Sequence, residues 1–156
     1  MAEIPERLAA LLAEFETITD RYERYELLTE YADEFQEVPA EVATRPFPRE
    51  RLVPHCESQV YFWVRENGDH TLTFYFAVDN PQGLSAKAMA TILDQTCSHV
   101  PAWQVAAIPD DLPQRLFGKD LSMGRTLGLT SLVAMVKAAA KQHIQGCAVC
   151  AAQAGE

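Results

Sequence analysis

No stretch of the 156-residue sequence reaches the roughly 18 consecutive apolar residues of a membrane span. Met1 to Arg7 also lacks the basic patch and following apolar run of a secretory leader. Both absences lead to the expectation of a cytoplasmic protein that meets no membrane. Basic residues are scarce as well: 13 Lys and Arg stand against 22 Asp and Glu, a formal net charge of −9. That balance argues against a nucleic-acid backbone as the principal partner. Cysteine is sparse, with only Cys56, Cys97, Cys147 and Cys150. Without a leader these are expected to be reduced thiols and not a disulfide framework. No internal repeat is present, and the only biased stretch is the Ala-rich tail after Ala148.

What is there fits one folded domain. Hydrophobic residues make up 48% and charged residues 22%, so neither disorder nor a fibrous repeat is expected. The length suits a single core, read as a domain over 1–146 followed by a short tail, 147–156, that carries a C-x-x-C pair. The acidity is uneven: residues 1–50 hold 13 acids and 5 arginines, whereas residues 51–156 are nearly neutral. A solvated helical face accounts for this, and an acidic docking surface for a partner protein is the sharper alternative.

Apolar spacing predicts the elements. Leu8, Leu11, Leu12 and Phe15 recur at helical period after Pro5, giving an amphipathic helix over 5–16. Asp20, with Glu23 three residues on, caps a second helix running to about Phe35, and the two are expected to pair as an acidic helical hairpin. Prolines at 39, 46, 48 and 54 make the next stretch an irregular surface connection. Ser58 to Arg65 and His70 to Val78 read as two strands around the turn Glu66-Asn67-Gly68-Asp69, with Leu72, Phe74, Phe76 and Val78 on one face. After the stop at Asp79–Gly83, Ser85 is placed to cap a helix carrying Met89, Ile92, Leu93 and Thr96. Short helices follow among Pro101, Pro109, Pro113 and Gly118, and a long helix spans Ser122 to about Ile144, with Gly146 as its stop. Strands segregated from helices in this way predict an α+β fold, a small antiparallel sheet covered by helices on one face.

Chemistry falls on few residues. Cys56 sits between the proline-rich connection and the first strand, among polar neighbours, where a thiol is reachable; His55 and Glu57 would pull its pKa in opposite directions. A Cys–His hydrolase would need His55, His70, His99 or His143 brought close, yet none lies in a peptidase signature. Cys97, at the end of an apolar helix face, reads as core. Cys147 and Cys150 have the spacing of half a zinc site or a redox pair. No second pair accompanies them, so they read as an incidental tail at a frayed end. Arg125 opens the last helix, where free N–H groups and a guanidinium favour an anion, although the stretch matches no phosphate-loop pattern. Asp79 is placed to pair with an arginine or to cap a turn.

Cys56-Glu57-Ser58-Gln59-Val60 before an aromatic strand resembles the C-[QE]-S-Q-V-W segment of the SufE family. Arg24-Tyr25, Ile92-Leu93-Asp94-Gln95 and Ser122-x-x-Arg125-x-x-Gly128-Leu129 follow in the family's order. The chain departs from the family in carrying His55 where Gly is frequent, and Asn80-Pro81-Gln82-Gly83-Leu84 where an apolar run is common. The resemblance implies the fold shared with IscU-type scaffolds and a role as sulfur acceptor. Cys56 would take sulfane sulfur as a persulfide from a SufS-type cysteine desulfurase, stimulating it, and pass the sulfur to the SufB-containing iron–sulfur assembly complex. On this reading the protein is a non-turnover transfer partner. The chain is expected to hold no cofactor and no metal, the pyridoxal phosphate belonging to the desulfurase. Arg125, Asp79 and Gln59 would be supporting positions around the cysteine loop. The alternative is a metal or iron–sulfur scaffold of the IscU type, which needs several convergent soft ligands where Cys56 and Cys97 alone precede the tail.

Overall fold

A computed structural model describes residues 3–56, 58–80 and 83–154. Glu57 of the cysteine motif and Pro81 and Gln82 of the following turn lie outside the described residues. The first helix, α1 (Glu6–Glu16), starts after Pro5 and buries the expected stripe of Leu8, Leu11, Leu12 and Phe15. Each of these side chains contributes roughly 2 kcal/mol of gross hydrophobic stabilisation. The second, α2 (Arg21–Asp33), is capped by Asp20, whose carboxylate accepts the Tyr22 N–H at 2.9 Å. It ends at Asp33, and Phe35 continues only as a turn, its N–H bonded to the Ala32 carbonyl.

The expected helical hairpin does not form. Helix α1 packs on α3 (Leu84–Cys97) and α5 (Leu112–Phe117), and α2 lies along α3. The reason is the breadth of the apolar surface of α3, which buries Ala86, Ala88, Met89, Ala90, Thr91, Ile92, Leu93, Thr96 and Cys97, nearly its whole girth. A helix apolar on all sides draws neighbours to every side, whereas α2 buries only Leu28. Gly83, not Ser85, is the N-cap of α3, because the Lys87 N–H already bonds the Gly83 carbonyl at 2.9 Å and starts the helix earlier.

The strands β1 (Val60–Glu66) and β2 (Leu72–Val78) pair antiparallel, Val60 opposite Val78 and Glu66 opposite Leu72. Val60, Phe62, Leu72, Phe74, Phe76 and Val78 face the helical core. The other face is not left to solvent. Tyr61, Trp63 and Ala77 are buried there under Val38, Val42, Ala43, Phe47 and Leu52, so the proline-rich connection forms a second, smaller core. The Phe47 ring packs edge-on to Trp63 at 4.9 Å, and Arg45 lies over Phe47. The connection also bonds both outer edges: the Val38 N–H reaches the Phe76 carbonyl at 2.9 Å, and the Val53 N–H the Val60 carbonyl at 2.8 Å. A two-stranded ribbon is marginal alone; here α3 supports one face and residues 38–53 the other.

Two short helices, α4 (Ala102–Ala106) and α5, lead into α6 (Met123–Gly146), whose N-cap Ser122 accepts the Arg125 N–H at 3.2 Å. Its 24 residues extend about 36 Å. Gly146 is the last helical residue and not the stop; Cys147 turns the chain with extended backbone angles. The tail is no frayed end: Ala148–Ala154 form α7, packed on α6 and α4 with Cys150 buried. No described helix is long and apolar enough to cross a membrane.

Candidate functional site

The loop before β1 brings Cys56 against the first turns of α6. His55 takes a left-handed backbone, φ +64°, a conformation that histidine tolerates better than most side chains and that glycine adopts freely. This explains why the position suits the glycine of the resembling family. The Cys56 Sγ donates to the Gly128 carbonyl at 3.4 Å. Gly128 is required for this approach: a Cβ there would lie 3.0 Å from the Cys56 Cα and the His55 oxygen, and 3.3 Å from Sγ. On the other wall, a Cβ at Gly83 would meet the Ser58 Oγ at 2.9 Å, so a glycine lets the β2–α3 turn close on the cysteine loop.

Cys56 is half-buried in a cleft of about 340 Å³ between α2, the β2–α3 turn and the start of α6. Three cations line it, Arg21, Arg24 and Arg125, and no carboxylate does among the described residues. In a chain of net charge −9 this is a local reversal of sign. Burial still dominates at the sulfur and pushes the Cys56 thiol up to about 11. The resting group is therefore a protonated, shielded thiol. Because alkylation needs the thiolate, Cys56 at pH 8 should react with iodoacetamide about 100-fold more slowly than a thiol at its ordinary value of 9.0. Its rate should keep climbing close to tenfold per pH unit up to pH 10. Peptide-resolved alkylation kinetics measure this, and a plateau near pH 9 would show the thiol to be unshielded.

Among the supporting positions expected from sequence, only Arg125 lines the cleft with Cys56; its side chain is exposed at the mouth. Asp79 pairs instead with Arg45, which also holds Glu37, so its carboxylate ties the proline-rich connection to the end of β2. The Gln59 side chain is exposed, and its backbone carbonyl accepts the Asp79 N–H at 2.9 Å. Cys97 is core, fully buried, with its thiol pushed up to about 12 by that burial.

Arg24 was visible in the sequence only as part of a resemblance; its task is structural. One guanidinium nitrogen donates to the Leu116 carbonyl at 2.9 Å and the Arg115 carbonyl at 3.3 Å. The other donates to Ile18 at 2.9 Å and Phe15 at 3.3 Å. These are the carbonyl ends of α1 and α5, where unpaired acceptors and the negative end of the helix dipole call for a cation. Tyr25, part of the same resemblance, also reaches the cleft, as does Arg21 on α2, which no local pattern announces.

At the far end of the hairpin, His143, Cys147 and Cys150 come together beside Glu66 at the end of β1 and His70 of the β1–β2 turn. No local pattern joins the tail to that turn.

The fold is similar to the solution structure of a hypothetical protein from Thermus thermophilus, with a TM-score of 0.72 at 18% identity, covering 91% of this chain and 98% of that one. No match was found among curated proteins. Residues 9–140 match the family described as SufE: Fe-S metabolism associated domain. That span takes in Cys56, the cleft around it and both walls, and on it the chain belongs to the SufE family, with a role in iron–sulfur metabolism.

Proposed function

We propose that the protein is a sulfur carrier that holds sulfane sulfur as a persulfide on Cys56. The donor is a cysteine desulfurase of the SufS type, and the receiver a SufB-containing assembly complex. The observation that carries this is a single thiol, half-buried in a cleft lined by arginines and free of carboxylates among the described residues.

The step is a thiol–persulfide exchange. The Cys56 thiolate attacks the terminal sulfur of the desulfurase persulfide, a new S–S bond forms at Cys56, and the desulfurase cysteine departs as a thiolate that takes up the proton Cys56 lost. Electrons balance without an oxidant. A thiol with a pKa near 11 is a poor nucleophile at neutral pH, so docking has to expose Cys56 or bring a proton acceptor to it. The same shielding then protects the loaded persulfide from stray thiols. Arg125 and Arg21, at the mouth, favour the anionic sulfur in either form.

The surroundings suit a protein partner. Of the five large apolar side chains left exposed among the described residues, Tyr22 and Tyr25 stand on α2 and Met123 and Leu127 on the first turns of α6, the two helices that wall the cleft. Exposed aromatics and methionine beside a reactive group are the composition of an interface. An assembly scaffold would instead gather several soft ligands, and Cys56 is the one thiol among the described lining residues.

Incubation with a cysteine desulfurase and free cysteine, followed by peptide mass mapping, should add one sulfur at Cys56. Addition at Cys147 or Cys150 with Cys56 bare would defeat the assignment. Arg125→Ala should slow transfer about tenfold, the loss of one charge interaction at the reacting sulfur, and Arg125→Lys should recover part of it. Unchanged kinetics in Arg125→Ala would leave Arg125 only its backbone bond to Ser122.

A further inference from the structure

His143 and Cys147 stand four residues apart at the C-terminal end of α6, and Cys150 follows one turn into α7. The break between these helices folds the three side chains onto one spot, their ligand atoms all within 4.8 Å of one another. Cys150 Sγ is 3.3 Å from His143 Nε2. The turn between β1 and β2 meets them from the other side: His70 Nδ1 lies 3.8 Å from Cys147 Sγ, and Glu66 Oε1 lies 3.4 Å from His70 Nδ1 and 3.6 Å from His143 Nε2. In a tetrahedral zinc site with bonds of about 2.0–2.3 Å, neighbouring nitrogen and sulfur ligands sit about 3.5 Å apart. Both measured nitrogen–sulfur distances bracket that value. The site is graded in depth, with Cys150 buried, the His143 side chain 12% exposed, and His70 and Glu66 at the rim.

We propose that His143, Cys147 and Cys150 are three ligands of a structural zinc site that clamps the C-terminal helices to the β1–β2 turn, with His70, which faces Cys147, as the fourth, and that zinc displaces the Glu66 carboxylate now beside the ring nitrogens of both histidines. Two thiolates and two neutral imidazoles balance a divalent zinc ion and close its coordination, leaving no position for catalysis. Binding to the thiols releases two protons, and no redox step is involved. The site is separate from Cys56, which precedes β1 while Glu66 ends it; seven strand residues place the two about 20 Å apart. His143 and both cysteines also lie beyond residue 140, where the family match ends, so the clamp is an addition to the shared domain.

The test uses the full chain, reduced, stripped with a chelator and titrated with Zn²⁺ and with Co²⁺. One equivalent of each should bind, and the cobalt form should show tetrahedral d–d bands with thiolate charge-transfer intensity for two sulfurs. Cys150→Ser and His143→Ala should each weaken zinc binding by more than the ~10–100-fold expected when an outer partner is lost. Cys56→Ser should bind zinc unchanged. Since a variant can lose metal merely by unravelling the tail, the cobalt spectrum of the unaltered protein reads the thiolate count directly. Failure of the reduced protein to take up metal, an octahedral cobalt spectrum, or binding lost in Cys56→Ser would each overturn the proposal.

Discussion

Cys56→Ser should abolish sulfur acceptance while leaving the fold intact. Serine is nearly isosteric, and its hydroxyl can keep the contact that Cys56 Sγ makes with the Gly128 carbonyl. The stability cost at a half-buried loop position should stay under about 1 kcal/mol. The chemical cost is total, because an alkoxide is inaccessible near neutral pH and a serine cannot hold a sulfane sulfur as a disulfide-type bond. The variant should neither gain mass with a desulfurase and cysteine nor accelerate the desulfurase, while its circular dichroism and thermal transition match those of the parent. Full stimulation of the desulfurase by Cys56→Ser would mean that sulfur leaves by another route, and the carrier assignment would fall.

The largest effect on stability is expected from Arg24. Its guanidinium serves four carbonyls at the ends of α1 and α5, two of them at 2.9 Å. It also lies 5.7 Å over the Phe15 ring. Arg24→Met keeps the apolar stem but leaves those acceptors to water, where water can enter, or to nothing. Hydrogen bonds from a charged donor are worth about 1.5–3 kcal/mol each and are not additive, so a total loss of about 2–4 kcal/mol is expected. Arg24→Lys should recover only part of this, because a single ammonium cannot span two helix ends as the planar fork does. Urea unfolding with a shared slope measures it. A loss below about 1 kcal/mol in Arg24→Met would show the four bonds to be replaceable by solvent.

The two variants separate the parts of the fold that a sequence announces from those it hides. The stripe of Leu8, Leu11, Leu12 and Phe15 and the alternation through Leu72–Val78 are local patterns, and both elements stand where those patterns place them. The second core was hidden because Tyr61, Trp63 and Tyr75 fall on the strand face that alternation assigns to solvent. Only the loop carrying Val38 and Phe47, distant in sequence, makes that face interior. The same holds in the site. Cys56 is legible from its polar setting, and Arg125 from its place at a helix start. Gly128 is needed for its closeness to a loop 72 residues away, and no local rule reveals that. Arg24 looks like one more charge on an acidic helix until the ends of α1 and α5 are seen to converge on it. The tail misled for a related reason: an Ala-rich segment lacks an apolar stripe, and α7 is held by packing on α4 and α6 that only the fold supplies.

The hydrogen bonds that the proline-rich connection makes along the hairpin also restrict how partners can be met. With Val38 bonded beside β2 and Val53 beside β1, a protein seeking to extend the sheet with a strand of its own would first have to strip that connection away. Its second core would come with it. Recognition by backbone pairing, which many adaptor proteins use at an open sheet edge, is thus made costly at both sides. A partner is left to read side chains on helices and loops, a mode in which a single substitution can change who binds without disturbing how the chain folds.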